Sequence, residues 1–172
     1  MQRILILGCP GAGKSRLSRA LGARLDLPLV HLDALYWRPG WVASALKDFR
    51  VRVAAAVASD RWICDGGYGS TYDLRLPRAD LIIWLDTPRW LCLLRVMLRW
   101  LTHLGRTRAD MGPDCPEKVD AAFITYIWRW RRDNRPTLEA ALARLAPATP
   151  LVTLRSDRAV TAFLDGLPDA SG

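Results

Sequence analysis

The stretch Gly8-Cys9-Pro10-Gly11-Ala12-Gly13-Lys14-Ser15 fits the pattern G-x-x-x-x-G-K-[ST], and it follows Ile4-Leu5-Ile6-Leu7, a short apolar run that reads as a buried strand. A triphosphate carries several negative oxygens, so a loop that binds it must wrap backbone N–H groups closely around them. Gly8, Gly11 and Gly13 permit that wrap. Beyond the loop, Leu17, Ala20, Leu21 and Leu25 recur at helical spacing within Arg16–Leu25, which puts the positive end of a helix beneath the phosphates. On this reading the loop from Gly8 through Pro10 and Ala12 to Arg16 holds ATP. Lys14 reaches the β- and γ-phosphates, and the Ser15 hydroxyl completes the shell of a Mg²⁺ ion.

Working outward, further strand-like runs occur at Pro28–Leu32, Trp62–Cys64, Leu81–Leu85 and Pro150–Leu154, separated by helix-compatible sequence. This alternation predicts an α/β fold, a parallel sheet covered by helices on both faces. Ligands in such sheets sit at the carboxyl ends of the strands, where this chain places Gly8, Asp33, Asp65, Asp86 and Arg155. Asp65 precedes Gly66-Gly67-Tyr68, a carboxylate followed by bare backbone, and is a candidate for magnesium water and catalysis; the alternative is a plain Asp-Gly turn. Asp33 could orient an acceptor hydroxyl or cap the next helix. Asp86, before Thr87-Pro88, reads mainly as a helix cap.

Pro88–Leu104 reads as a helix that runs into Gly105-Arg106-Thr107-Arg108, a stretch continuing to Pro116 that is too rich in Gly and Pro to stay helical. An arginine-bearing lid results, able to close over the transferring group and expel water. After it, Val119, Ala122, Phe123, Tyr126, Ile127 and Trp130 mark the buried side of another helix. Trp128, Arg132 and Arg135 fall on the opposite side, and the two arginines are weaker candidates for phosphate contacts. Most of the tryptophans read as core, with Trp37 and Trp41 as walls for an acceptor. His31 and His103 have no partner at metal or triad spacing and receive no catalytic role.

At 172 residues the chain suits a single domain, 1–172, with a frayed tail after Leu167. The formal net charge is +8, and lysine supplies only Lys14, Lys47 and Lys118 of the 25 basic residues, so arginine, which forks onto phosphate, dominates. A compositional bias toward Arg, Ala and Leu accounts for part of this. Cys9, Cys64, Cys92 and Cys115 are too dispersed for a metal knuckle or redox pair and read as free thiols in a reducing cytoplasm. The early first strand leaves no room for a secretory signal, and no apolar run approaches a membrane span.

His31-Leu32-Asp33-Ala34-Leu35-Tyr36-Trp37, Pro39-Gly40-Trp41, Trp62-Ile63-Cys64-Asp65-Gly66-Gly67-Tyr68, Ala79–Asp86, Pro88-Arg89-Trp90 and Cys115-Pro116-Glu117-Lys118 resemble the topology modulation proteins, which are similar to adenylate kinases. The resemblance covers about the first 135 residues and part of the last strand. It implies a three-layer P-loop NTPase, nucleoside-monophosphate-kinase-like, with a five-stranded parallel sheet in the order 2-3-1-4-5, an acceptor-binding region at about 34–61 and a lid at about 104–117. It also implies that Arg106 and Arg108 are lid arginines and that Arg155 stands near the adenine. Two departures matter: Asp-Gly continues as Gly67-Tyr68 instead of the Phe-Pro-Arg of adenylate kinases, and Gly67 stands where the topology group more often has Asn.

The expected activity is ATP- and Mg²⁺-dependent phosphoryl transfer to a small acceptor, a nucleoside monophosphate among the candidates. The catalytic set is Lys14, Asp33, Asp65, Arg106 and Arg108, the metal set Ser15 and Asp65. One alternative is a kinase of a small hydroxylated metabolite, as in shikimate- or gluconate-type kinases. A second is an ATP-binding regulator of DNA topology, although no recognition helix, RNA-binding sheet motif or zinc finger is visible. The chain is expected to be cytoplasmic, a monomer or homodimer, with no membrane or nucleic-acid partner.

Overall fold

The apolar runs assemble as one parallel sheet. In the computed structural model, which describes residues 1–102, 105 and 110–167, its strands are β1 Arg3–Gly8, β2 Leu29–His31, β3 Trp62–Asp65, β4 Leu81–Leu85 and β5 Leu151–Leu154. They lie in the order β2-β3-β1-β4-β5, with Ile4 opposite both Ile63 and Leu81. The central strands are unbroken apolar runs because helices cover both faces: Ile4, Leu5, Ile6 and Leu7 are all fully buried. The edge strands reach water through Leu29 and Leu151.

The covering helices are α1 Lys14–Leu25, α2 Leu32–Tyr36, α3 Leu46–Ala56, α4 Tyr72–Arg75, α5 Arg89–Thr102, α6 Ala121–Asp133, α7 Arg135–Leu145 and α8 Asp157–Asp165. Helix α1 starts where β1 and its loop deliver it, buries Leu17 and Leu21 one turn apart, and ends at Asp26, whose left-handed backbone closes the helix onto Gly22 O. Asp120 caps α6 by accepting from Phe123 N at 2.8 Å, and Pro136 opens the first turn of α7.

Three features differ from the sequence expectation. The second strand stops at His31, because Leu32 turns inward as the fully buried first residue of α2. Asp33 therefore sits in the first turn of a helix instead of just beyond a strand. Residues Trp37–Arg38 and Val42–Ala43 form a small antiparallel pair that the apolar pattern did not signal. Finally, only Trp62, Trp84 and Trp130 are buried, whereas Trp90 is 62% exposed; Trp128, on the outer side of α6 as its spacing indicated, is 48% exposed, with Arg89 stacked over its ring at 3.9 Å.

Candidate functional site

The loop after β1 folds as a cup. Ala12 N donates to Cys9 O at 3.1 Å, and Arg16 N and Leu17 N both donate to Gly13 O, so the loop hands directly into the first turn of α1. Gly13, at φ +100°, is the N-cap of that helix, a conformation that side-chain-bearing residues rarely adopt. Gly11, at φ +80°, backs onto α5 so closely that a Cβ there would collide with the carbonyl of Cys92. Lys14 Nζ arches over the cup and donates to the carbonyls of Gly8 (3.0 Å) and Cys9 (3.1 Å). From the far side Arg95 donates to Ala12 O at 3.2 Å and grips both oxygens of Asp157 at 2.7 and 2.6 Å, tying the loop to α8.

Asp65, the last residue of β3, is only 5% exposed at the foot of the cup. Its Oδ2 accepts from Ser18 Oγ at 2.6 Å and pairs with His31 Nδ1 at 2.9 Å. The hydrogen bond that His31 makes to the Asp65 carboxylate raises the His31 pKa above its ordinary value and outweighs burial, which acts the other way. His31 thus has a partner that its sequence neighbours did not reveal.

The next residues, Gly66-Gly67-Tyr68, are held by Arg75, whose side chain is fully buried. Its guanidinium donates to Gly66 O (3.2 Å), Gly67 O (2.8 Å), Tyr68 O (3.2 Å) and Thr71 Oγ1 (3.0 Å). Tyr68 in turn donates its O–H to Asp33 Oδ1 at 2.6 Å. Burial first, and then the charge of Asp33, push the Tyr68 phenol well above its usual range, so it remains a proton donor and holds Asp33 as the acceptor of that bond. Around Asp33 the rings of Tyr36, Trp37, Trp41, Phe49 and Tyr68 pack with neighbouring centroids 4.9–5.2 Å apart.

A cavity of about 1150 Å³ runs from the cup to these rings. Its wall brings together Gly8, Pro10, Gly11, Gly13, Lys14, Ser15 and Arg16 with Asp33 and Asp65, and Trp37 and Trp41 line it as expected. Ala12 lies buried behind the loop. Tyr126, Ala122 and Phe123, expected on the buried side of α6, line this cavity, while Ile127 takes the fully buried position. Residues 110–117 close one side and are bonded to the segment at 38–41: Gly40 N to Asp114 O (3.0 Å), Trp41 Nε1 to Pro116 O (2.9 Å) and Cys115 Sγ to Arg38 O (3.3 Å). Arg106, Arg108 and His103 lie outside the described residues.

Several expected contacts lie elsewhere. Asp86, read mainly as a cap, is a nearly buried anchor that receives Arg131, Arg135 and Arg155 at 3.4–3.5 Å. Arg135 is further taken by Glu139 at 2.8 Å and by the face of Trp84, and Arg132 pairs with Asp133 at 2.6 Å. None of these arginines lines the cavity, Arg155 included.

Magnesium prefers a few hard oxygens plus substrate phosphates over an all-protein cage. The site suits it: Ser15 and Asp65 share one wall with the loop, and among the described residues no group of three or more His, Cys, Asp or Glu forms a denser metal site. All four cysteines are free and buried, and no helix among the described residues is long and apolar enough to cross a membrane.

No family model and no curated protein matches the chain. Among solved structures it is similar to shikimate kinase from Acinetobacter baumannii in complex with shikimate, with a TM-score of 0.61 and 16% identity over 96% of this chain and 89% of that one. A putative kinase from Chloroflexus aurantiacus gives a TM-score of 0.53 at 18% identity, covering 96% of each chain. The shared property is the fold: a five-stranded parallel sheet with helices on both faces and a P-loop after its first strand.

Proposed function

We propose that this protein is an ATP-dependent phosphotransferase that moves the γ-phosphoryl group of ATP to the hydroxyl of a small acceptor. The observation that carries the reading is one continuous cavity joining a phosphate loop, with its lysine and serine, to a carboxylate held by a phenol. The amides of the loop and the first turn of α1 bind the phosphates, and Lys14 leaves its two carbonyls to pair with the β- and γ-oxygens. Ser15 and Asp65 hold Mg²⁺, Asp65 through water, and the ion when bound neutralises charge on those oxygens. Ser18 and His31 fix the Asp65 carboxylate from behind.

At the other end Asp33 aligns the acceptor and takes its hydroxyl proton. The new bond joins the acceptor oxygen to the γ-phosphorus, the bond from that phosphorus to the β,γ-bridging oxygen breaks, and ADP leaves. The lid arginines Arg106 and Arg108 stabilise charge on the transferring oxygens. Resemblance to the topology modulation proteins, themselves similar to adenylate kinases, together with the shikimate kinase likeness supports a small-molecule kinase of this kind.

Calorimetry with ATP and Mg²⁺, followed by ADP-release assays over a panel of acceptors, tests the reading. Lys14→Ala is expected to abolish turnover while leaving the fold intact. Normal turnover in that variant, or no affinity of the wild type for ATP and Mg²⁺, removes the kinase assignment.

A further inference from the structure

Helix α5 reverses the usual layout of a surface helix. Arg89–Thr102 is apolar at every position except Arg89, Arg95, Arg99 and Thr102, and it fully buries only Cys92 and Val96. Its arginines are spent on the molecule's own groups: Arg95 on Ala12 O and Asp157, Arg99 on Glu117 at 2.9 Å, and Arg89 on the face of Trp128. A helix on the outside of a globular protein turns charge to water and its apolar stripe to the core. Here the side away from Cys92 and Val96 carries Trp90, Leu94, Leu98 and Leu101, which are 62%, 47%, 53% and 56% exposed. They recur in steps of three and four residues and so form one stripe about 16 Å long. Trp128 of α6, half-exposed beside Arg89, widens it at the Trp90 end.

These five side chains present on the order of 500 Å² of apolar surface, near the upper end of what a monomer leaves in water. Paired with itself across a two-fold axis, the patch with its rim buries about 1,000–1,200 Å², the size at which specific interfaces begin. The stripe itself carries no charge, so a second copy meets it without opposing like charges. A lipid surface fits it less well. A helix that lies on a membrane sets Lys and Arg along its flanks for the headgroups, whereas Arg95 and Arg99 are turned back to Asp157 and Glu117.

We infer that the chain pairs with a second copy of itself through α5, in an antiparallel helix contact with Leu94 and Leu98 about the two-fold axis. This contact is independent of the kinase reading. It lies on the back of the helix whose Cys92 carbonyl abuts Gly11 of the cup.

Sedimentation of the wild-type chain over a concentration series should show twice the monomer mass. Each copy has a formal net charge of +8, which opposes association at long range, so raising the salt concentration should tighten the dimer. Leu94→Lys/Leu98→Lys and Leu94→Glu/Leu98→Glu should each sediment as monomers with wild-type circular dichroism, and should form a mixed dimer when combined. Val42→Lys/Val51→Lys, at exposed apolar positions away from α5, should leave the dimer unchanged. Leu98→Gln removes apolar area without adding charge and should weaken the dimer about tenfold or more; it decides the matter if the charged variants lose their fold. A wild type that is monomeric at every concentration, folded Leu94/Leu98 variants or a Leu98→Gln chain that dimerise as tightly as wild type, or a dimer lost in Val42→Lys/Val51→Lys overturns the inference. So does binding of the monomer to phosphatidylserine–phosphatidylcholine vesicles with a blue shift of tryptophan emission that Trp90→Ala removes, because that result assigns the stripe to lipid.

Discussion

Arg75 is a fully buried cation with no carboxylate among its hydrogen-bond partners, and replacing it isolates what it does. Arg75→Met keeps much of the side-chain volume and removes every donor. Tyr68 O retains Thr71 Oγ1 at 2.9 Å and Thr71 N at 3.0 Å, so the groups that lose their partner are Gly66 O and Gly67 O. Each carbonyl left without a donor costs about 1–3 kcal/mol. Removing a desolvated guanidinium offsets part of that, because burying an ion is itself unfavourable. The expected net loss is about 2–4 kcal/mol, or roughly 5–15 °C in melting temperature for a chain of this size. Guanidinium chloride unfolding should show a lower midpoint at unchanged slope, since native compactness is preserved. A variant that melts within about 2 °C of wild type would show that the carbonyls find other donors, and would remove Arg75 as the element that shapes the loop.

Gly11→Ala forces a Cβ into the Cys92 carbonyl at a backbone angle that L side chains avoid, so ATP affinity by calorimetry should fall about tenfold or more; unchanged affinity would mean that the cup tolerates displacement. Asp33→Asn should reduce acceptor turnover about 10²–10⁴-fold while ATP affinity holds, measured by ADP release, and a rate near wild type would exclude Asp33 as the proton acceptor. The Asp80 carboxyl is held below its usual range chiefly by its hydrogen bond from Arg3, with Gln2 N and Arg3 N adding to it. Because the folded value is the lower one, this stabilisation is complete above the unfolded value near 4 and is lost as pH falls through the folded value. Asp80→Asn should therefore flatten the acid limb of stability against pH, and an unaltered limb would contradict the assignment.

The cup after β1 was legible because it is written in adjacent residues: Gly11 and Gly13 set its backbone, and Lys14 reaches back over it. Asp33 and Asp65 were legible as polar residues beside strand ends, since parallel strands deliver such positions to one edge. Their partners were not. Ser18 and His31 meet Asp65 across 47 and 34 residues, and Tyr68 meets Asp33 across 35, pairings that exist only once the sheet order brings β2, β3 and α1 together. Arg75 was silent for another reason: its partners are main-chain carbonyls, which leave no mark on residue type. The tryptophan reading failed at Trp90, which α5 turns outward at 62% exposure, whereas Trp128 lies on the polar side of α6 as its spacing indicated, under a cation from Arg89.

The bonds that link Gly40, Trp41 and Arg38 with residues 114–116 fasten the aromatic wall to the strap at 110–117. Those two parts are thereby yoked: on the proposed function, a co-substrate that shifts Trp41 would pull on the strap, and a nucleotide that draws the strap inward would shift Trp41. Thermodynamic linkage makes such traffic symmetrical, so whatever factor ATP adds to the hold on its co-substrate, the co-substrate must add to the hold on ATP.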